Sequence, residues 1–467
     1  MDAWIKKVGT HRGRPRIFLD GIQAARAGFA PGETFDVEVD GQRVSLVKKD
    51  DGSRVVSSRN QNGAVKPVID INSAELLSMF EGMDCIRVIV AANGVYFLPL
   101  ASEVKRVERL DRLRTKVRQA QPLQIGSLSH GGGVLTHAIH QGMQEAGLEC
   151  TLAMANEIRE DLLVQAIEHN DAWNDATSAL ALPMQELVQD DWLMSKLPQL
   201  ECLEMGLPCS GASKAGKAKK GLEMMEAHEH VGHLVAAAIA IINRTQPTVV
   251  LLENVVDYST SASAFILRHT LRDMGYDVHE AVLSGRDFGC FENRIRWALV
   301  AVTRGMAFDM KDLAPPVALV RRVDDILDKS IALDDPRWRA VEYLKDKRER
   351  DEAKGSGFKM QYVDPEATTL PVLRKGYHKG GSTDPRLRHP ENAELSRLLT
   401  KEEHEGIPPE IVEGLSETLA HQLLGQSIAY VPFQLLGARI GQCVMKFAAE
   451  EESLEMERDS SRPRVCG

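Results

Sequence analysis

The chain has 467 residues, 43% of them hydrophobic and 27% charged, with a formal net charge of −10. No apolar run reaches membrane-spanning length, residues 1–7 lack a signal-peptide core, and the seven cysteines are scattered without Cys-x-x-Cys spacing. These features exclude a membrane span, a secreted disulfide scaffold and a structural zinc site, and they predict a cytoplasmic enzyme of two or three domains with sizeable cores. The charge is unevenly spread: residues 1–118 hold 20 Lys+Arg against 15 Asp+Glu, a net of +5, so the remainder carries −15. Local patches rather than the total set phosphate affinity, so the acidic balance does not exclude a nucleic-acid partner.

Residues 1–118 contain an internal repeat. Pro15-Arg16-Ile17-Phe18-Leu19, Ala24-Ala25, Gly32 and Phe35-Asp36-Val37-Glu38-Val39 recur as Pro67-Val68-Ile69-Asp70-Ile71, Leu76-Leu77, Gly82 and Ile86-Arg87-Val88-Ile89-Val90. Each copy predicts strand, short helix, strand, strand. This order resembles the swapped-hairpin barrel of small bacterial DNA-binding regulators and antitoxins, which needs two chains; a tandem copy completes it within one. Arg12, Arg14 and Arg16 are candidate phosphate contacts, and a β-domain used only for packing is the alternative. Residues 103–118 read as a charged helix linking this domain to the rest.

From residue 123 to 302, apolar strands alternate with helical patterns, which predicts a βα series and a mostly parallel sheet. Strand 123–128 leads into Gly131-Gly132-Gly133 and helix 134–146, a turn suited to close backbone approach to a ligand. A second strand ends at Asn156-Glu157, where an acidic residue can accept from both hydroxyls of a ribose. Gly206-Leu207-Pro208-Cys209-Ser210 and Leu251-Leu252-Glu253-Asn254-Val255 each close a strand. A helix is predicted over 222–242, carrying His228, His230 and His233, whose spacings of two and three do not share one helical face and so make a poor metal site. Strand 248–253, helix 262–273 and strands 277–283 and 296–302 follow. A lone buried cysteine is more often a small hydrophobe than a nucleophile. A cysteine and a glutamate on neighbouring strand ends, however, are the pair that attack on a pyrimidine requires. A thiolate adds to C6 while a carboxyl group on N3 neutralises the charge that develops.

The ordered motifs resemble those of the DNA (cytosine-5)-methyltransferase family, of bacterial, plasmid or phage type. The resemblance runs from about residue 122 to 444. It is carried by Pro208-Cys209, Glu253-Asn254-Val255, Arg294-Ile295-Arg296, Leu399-Thr400-Lys401-Glu402-Glu403 and Gly425-Gln426-Ser427. The family's Asp-Leu-Phe-x-Gly-x-Gly opening is altered here to Gly126-Ser127-Leu128-Ser129-His130-Gly131-Gly132-Gly133, and its Gln-x-Arg-x-Arg carries Glu292 in place of Gln. The family's Asp after the third strand has no clear counterpart, Gln185 and Glu186 being nearest.

The resemblance implies an α/β, doubly wound, mostly parallel sheet, the Rossmann-like class I S-adenosylmethionine-dependent fold. The core would span 119–302, a target-recognition region 303–398, a segment returning to the core 399–447, and a polar tail 448–467. It implies Cys209, Glu253, Arg294 and Arg296 as catalytic residues. S-adenosyl-L-methionine would be held by Leu128, His130, Gly131, Gly132, Glu157, Ile158, Pro208, Gln426 and Ser427. Ser213, Asn254, Arg374, Lys375 and Lys379 would meet the substrate, with Asn254 bracing the Pro208–Cys209 turn. The stretch from Pro371 to His389, with five Lys/Arg and one Asp, suits phosphates and guanine edges. The expected partner is duplex DNA, with a cognate restriction endonuclease as a candidate second partner, and the expected state is a monomer. Two alternatives stay open: a homologue that binds DNA without methylating it, and an enzyme acting on cytosine in RNA.

Overall fold

A computed structural model describes every residue except 62, 81–82, 92–93, 209–223, 314–320, 356–359, 405–406 and 461–467, with backbone alone at 20, 61, 312 and 451–460. The chain divides into two compact units, Met1–Val107 and Glu108–Gly467.

The first unit is antiparallel. Its elements are β1 (Asp2–Lys7), β2 (Gly9–His11), β3 (Arg14–Asp20), α1 (Ile22–Arg26), β4 (Thr34–Asp40) and β5 (Arg43–Lys48). They are followed by β6 (Arg54–Val55), β7 (Ser57–Gln61), β8 (Ala64–Ile71), α2 (Ala74–Leu77), β9 (Cys85–Ala91) and β10 (Gly94–Pro99). The repeat read from sequence is therefore present as strand, short helix, strand, strand in each copy. The two copies exchange strands: β1 pairs with β9 and β6 with β4, so each copy's leading strand lies beside the other copy's fourth. The registers are reciprocal. Ile17 faces Ile71 and Leu19 faces Ile69, while Val44 faces Phe97 and Leu46 faces Val95. Equivalent residues thus meet as they do across a two-fold dimer axis, here within one chain. Alternation along β9 and β10 turns Ile86, Val88, Val90, Val95 and Phe97 into one core with Ile17, Leu19 and Phe80. Arg12 and Gly13, both at positive φ (51° and 75°), form the two-residue turn between β2 and β3.

Helix α3 (Ala101–Arg118) runs across the boundary between the units. The sequence predicts a linker here, yet the second half of the helix is built into the second unit. The buried Arg109 guanidinium donates to Thr303 Oγ1 (3.0 Å), Gln246 Oε1 (2.8 Å) and the Met274 carbonyl (2.8 Å), and stacks over Tyr276 at 4.1 Å. Arg112 and Lys116 share the buried carboxylate of Glu201.

The second unit is a seven-stranded sheet with helices on both faces. Its elements are β11 (Leu123–Leu128), α4 (Val134–Glu145), β12 (Cys150–Asn156), α5 (Glu160–His169), β13 (Ser178–Leu180), α6 (Met184–Gln189), α7 (Asp191–Lys196) and β14 (Cys202–Met205). Beyond residue 223 come α8 (Leu234–Thr245), β15 (Val249–Asn254), α9 (Ala262–Asp273), β16 (Tyr276–Ser284) and β17 (Ile295–Thr303). The order is β13-β12-β11-β14-β15-β17-β16, parallel through β15 and antiparallel at β17 and β16. This is the doubly wound arrangement with one reversed pair, and the order turns around at β11/β14. Central strands β14 and β15 are largely buried and read as apolar runs, apart from Glu204 and the closing Glu253-Asn254.

The predicted helix over 222–242 is corrected. Within the described residues, Met225–Ala227 is a single 3-10 turn and His228, His230 and His233 lie in turns before α8. A Cβ on Gly232 would stand 2.2 Å from the Glu226 carbonyl oxygen, so the chain folds back there instead of winding on. No group of three or more His, Cys, Asp or Glu able to hold a metal occurs among the described residues.

Residues 303–398 contain α10 (Glu342–Ala353) and a small sheet of β18 (Tyr362–Val363), β19 (Arg386–Arg388) and β20 (Ser396–Arg397). A core of Val323, Val363, Leu370, Leu373, Tyr377 and Leu387 holds them. Ahead of them, Val323–Ile326 forms a single 3-10 turn. The chain then returns through α11 (Glu417–Gln426) and α12 (Tyr430–Ser460), and α12 packs on α4 through Phe433, Leu436 and Ile440. No described helix is long and apolar enough to cross a membrane.

Candidate active site

A cavity of about 360 Å³ opens at the carboxyl ends of β11, β12, β14 and β15, beside the end of α11. This is where an open α/β sheet binds its ligands, and the volume suits a small molecule. Of the residues expected from sequence, it gathers His130, Gly131, Gly132, Glu157, Ile158, Pro208, Glu253, Asn254, Arg296, Lys375, Gln426 and Ser427. Cys209 and Ser213 lie outside the described residues; Pro208, at the cavity wall, is the last described residue before them.

At one end, the glycine loop leaves β11 with Ser129, Gly131 and Gly133 all at positive φ. The Glu157 carboxylate is fixed by two backbone donors, Gly131 N–H at 2.8 Å and Arg159 N–H at 3.0 Å. Each oxygen keeps capacity for a further donor. A Cβ on Gly132 would meet Leu423 of α11 at 2.4 Å, and one on Gly133 would meet His130 and Asn170. These two glycines therefore serve packing of the loop, whereas the sequence suggests approach to a ligand. Leu128, also expected at the cofactor, is fully buried in the apolar core and does not line the cavity.

At the other end, Arg296 Nε lies 2.7 Å from Glu253 Oε1. Burial pushes the Glu253 carboxyl above the usual carboxylate range, and the Arg296 and Arg294 charges only partly offset it. A carboxyl shifted in this direction is better suited to hold a proton for transfer. Asn254 Nδ2 donates to the Leu207 carbonyl at 2.9 Å, tying the end of β15 to the segment that leads into Pro208 and Cys209.

Arg294 differs from its expected place beside Arg296. It is buried outside the cavity, where it donates to the carbonyls of Leu373 (2.7 Å), Ser427 (2.8 Å) and Gly425 (3.3 Å) and pairs with Glu292. It fastens the 371–389 stretch and the end of α11 to β17. Gly425 belongs to the same junction: a Cβ there would stand 2.3 Å from the Arg374–Lys375 peptide. Arg374 is paired with the buried Asp384 at 2.6 Å, whereas Lys375 reaches the cavity and Lys379 lies away from its wall.

Sequence reading missed Glu204, which lines the cavity from β14, and the His130 neighbours Thr136 and Trp173. The signal was available: a carboxylate inside the apolar run Cys202-Leu203-Glu204-Met205 is out of place in a central strand.

Similarity to known proteins agrees with this geometry. The model of the C-5 cytosine-specific DNA methylase family matches residues 135–425, more than half of the chain. The chain belongs to this family. Among curated relatives, this chain is 27% identical over 244 residues to type II methyltransferase M1.ScrFI of Lactococcus lactis subsp. cremoris, covering 50% of this chain and 60% of that protein. It is 27% identical over 261 residues to M.SsoII of Shigella sonnei, covering 52% and 64%. The chain thus spans under two thirds of the length of these relatives. Among solved structures, the S. pombe Dnmt2 methyltransferase superposes with a TM-score of 0.52 at 16% identity, over 70% of this chain and 99% of that one. The Entamoeba histolytica methyltransferase EhMeth superposes at 0.52 and 14%, over 71% and 99%. Both show the fold.

The family uses S-adenosyl-L-methionine, and the residues present fit it. Ser427 Oγ is buried at the cavity wall without a hydrogen-bond partner among the described residues, an acceptor and donor left for a ligand. Glu157 presents its carboxylate to the same space. A charged hydrogen bond is worth about 1.5–3 kcal/mol, and about 1.4 kcal/mol is tenfold in affinity. Glu157→Ala is expected to weaken S-adenosyl-L-methionine binding at least tenfold by calorimetry. A silent substitution would put the ribose elsewhere.

Proposed function

We propose that this chain transfers a methyl group from S-adenosyl-L-methionine to C5 of a cytosine in duplex DNA. The observation that carries the reading is one cavity with the Glu157 carboxylate at one end and the Glu253–Arg296 pair at the other. Pro208, which leads into Cys209, lines it from the segment after β14, the strand that separates β11 from β15. A base in a duplex cannot reach such a recess, so the target cytosine is flipped out of the stack. The cofactor supplies an electrophilic methyl group and leaves as a neutral thioether.

The rest is work for this chain's side chains. Cys209 adds as thiolate to C6. Glu253 holds a proton at N3 while charge develops on the ring, and Arg296 fixes the orientation of that carboxyl and contacts the cytosine carbonyl. Asn254 holds the segment before Cys209 against β15. Loss of the C5 proton and of the thiolate then restores aromaticity and frees the enzyme. Glu157, Ile158 and Ser427 hold the cofactor, and Lys375, at the cavity mouth, meets phosphate. Residues 303–398 select the site on DNA, and the protein works in the cytoplasm, as a monomer. Relatives named as type II methyltransferases favour a partner restriction endonuclease. Bisulfite sequencing of DNA from cells that express the protein tests the reading. Protected cytosines in one sequence context support it, and complete conversion overturns it.

We infer further that residues 1–107 bind duplex DNA through the β2–β3 and β7–β8 hairpins, which the two-fold arrangement places in one four-stranded sheet. They carry Arg12, Arg14, Arg59 and Lys66, next to a groove lined by Lys7 and Arg16. A chain beginning at Ala101 keeps Arg109 and Arg112, and is expected to fold and methylate while binding duplex DNA more weakly. Every phosphate that the first unit neutralises adds about 0.9 to the slope of log affinity against log salt, so the shortened chain should show a shallower slope. An unchanged slope would remove DNA binding from the first unit.

A further inference from the structure

Glu204 is 2% exposed in a strand whose other positions are apolar. A buried carboxyl is costly unless something pairs with it. Its surroundings are organised: the Thr136 hydroxyl, at the start of α4, donates to it, and the Ser127 hydroxyl of β11 bonds it from the neighbouring strand. Behind both hydroxyls stands His130, with Nδ1 2.9 Å from Ser127 Oγ and 3.1 Å from Thr136 Oγ1. Its Nε2 lies 3.1 Å from Trp173 Nε1. An indole N–H only donates, so Nε2 accepts and Nδ1 carries the hydrogen. Donors therefore run one way, from Trp173 through His130 and the hydroxyls, and end on Glu204, which faces the cavity.

Sheet register locates what it faces. In the order β12-β11-β14-β15, the β14 strand lies between the end of β12, where Glu157 follows, and β15, which carries Glu253. Met205 is opposite Leu252, so Glu204 sits two residues below the level of Glu253, about 7 Å deeper. This is the floor of the cavity, between the cofactor end and the base end.

We propose that Glu204, oriented by the Trp173–His130–Ser127/Thr136 chain, is the carboxylate that receives the sulfonium charge of S-adenosyl-L-methionine and favours it over the neutral thioether product. The assignment rests on the methyltransferase reading above. Burial lifts the Glu204 carboxyl to about 7, against the two hydroxyl hydrogen bonds and helped by the nearby Glu253. The other groups facing it are Cys202 on its own strand, His130 from the glycine loop, and Glu253 with Arg296 from β15 and β17. Burial holds His130 neutral down to about 3 and keeps the Cys202 thiol well above its usual value. Glu204 is thus partly protonated near neutrality. A cation seated against it drives that proton to solvent, and the proton returns when the charge leaves with the methyl group.

The test is calorimetry on the full chain at pH 6.5, with S-adenosyl-L-methionine and S-adenosyl-L-homocysteine, in two buffers of different ionisation enthalpy. At that pH the amino groups of both ligands are charged, so they contribute little. Wild-type protein is expected to release at least about a third of a proton more with the sulfonium ligand than with the thioether. E204Q keeps an acceptor for Thr136. It is expected to lose that difference, along with about tenfold of the preference for the sulfonium ligand. Equal proton release from wild type, or an unchanged preference in folded E204Q, overturns the assignment. The wild-type comparison decides it alone if E204Q does not fold. If wild type binds neither ligand, the cofactor reading falls and this assignment with it; binding of both with no effect of E204Q sinks this assignment only.

Discussion

Cys209→Ser is expected to abolish methyl transfer to duplex DNA while leaving S-adenosyl-L-methionine affinity and the thermal unfolding midpoint close to wild type. A serine hydroxyl keeps the size of the thiol but is a far weaker nucleophile toward C6 at neutral pH, because the thiolate is the reactive form. The cofactor end of the cavity is built on Glu157, the glycine loop and Ser427, all from other segments of the chain, so binding there does not depend on the thiol. Transfer and binding are measured separately, by incorporation of labelled methyl groups into DNA and by calorimetry. Appreciable transfer by the serine variant would remove Cys209 from the mechanism.

Glu253→Gln is expected to slow transfer by about 10²–10⁴-fold with little change in cofactor affinity. The substitution preserves shape and a contact for Arg296 but removes the proton that N3 needs. The pH profile carries an independent signature. Burial raises the Glu253 carboxyl above its ordinary value, so its acid form persists to higher pH than that of a free carboxyl and is lost as pH climbs through that raised value. Wild-type single-turnover rates should therefore fall on the alkaline side of this ionisation, and the Gln variant should lack that limb. A variant whose defect lies only in cofactor binding would show that Glu253 has another role.

Much of this architecture is legible in the sequence because local signals agree with the global fold. Helix α9 begins and ends where the sequence places it, since Ser261 caps it by accepting from the Ala264 N–H and Gly275, at φ 85°, follows its close. Strand β11 also falls in its expected place. The repeat in residues 1–107 is visible through matching Pro, Gly and alternating apolar positions. The exchange of β1 and β6 between copies is not, because pairing of distant strands leaves no periodic trace. The histidine run fails as a helix because the chain folds back on itself locally, bringing Gly232 against the Glu226 carbonyl. Helix α10 starts only at Glu342, after a turn in which the Asp335 side chain accepts from the Arg337 N–H.

The site shows the same division. Motif order names Glu253, Asn254, Arg296 and Glu157, and the fold brings them to one cavity. Motif order also names Arg294, but its carbonyl partners lie in the Leu373 and 425–427 segments, and no spacing rule foretells a guanidinium spent on holding distant backbone together. Glu204 is visible only as an anomaly of composition. Its chain of donors joins residues 127, 130, 136 and 173, which become neighbours only when β11, α4 and the loop after α5 pack together.

The central claim, covalent attack on a flipped cytosine by Cys209, is tested most directly by a duplex carrying 5-fluorocytosine at the target position. Fluorine at C5 blocks the final elimination, so wild-type protein with S-adenosyl-L-methionine should form a denaturant-resistant protein–DNA adduct, and peptide mapping should find the DNA on the Cys209 peptide. Wild-type protein that methylates ordinary duplex DNA yet forms no such adduct, or forms it through another residue, would contradict the account.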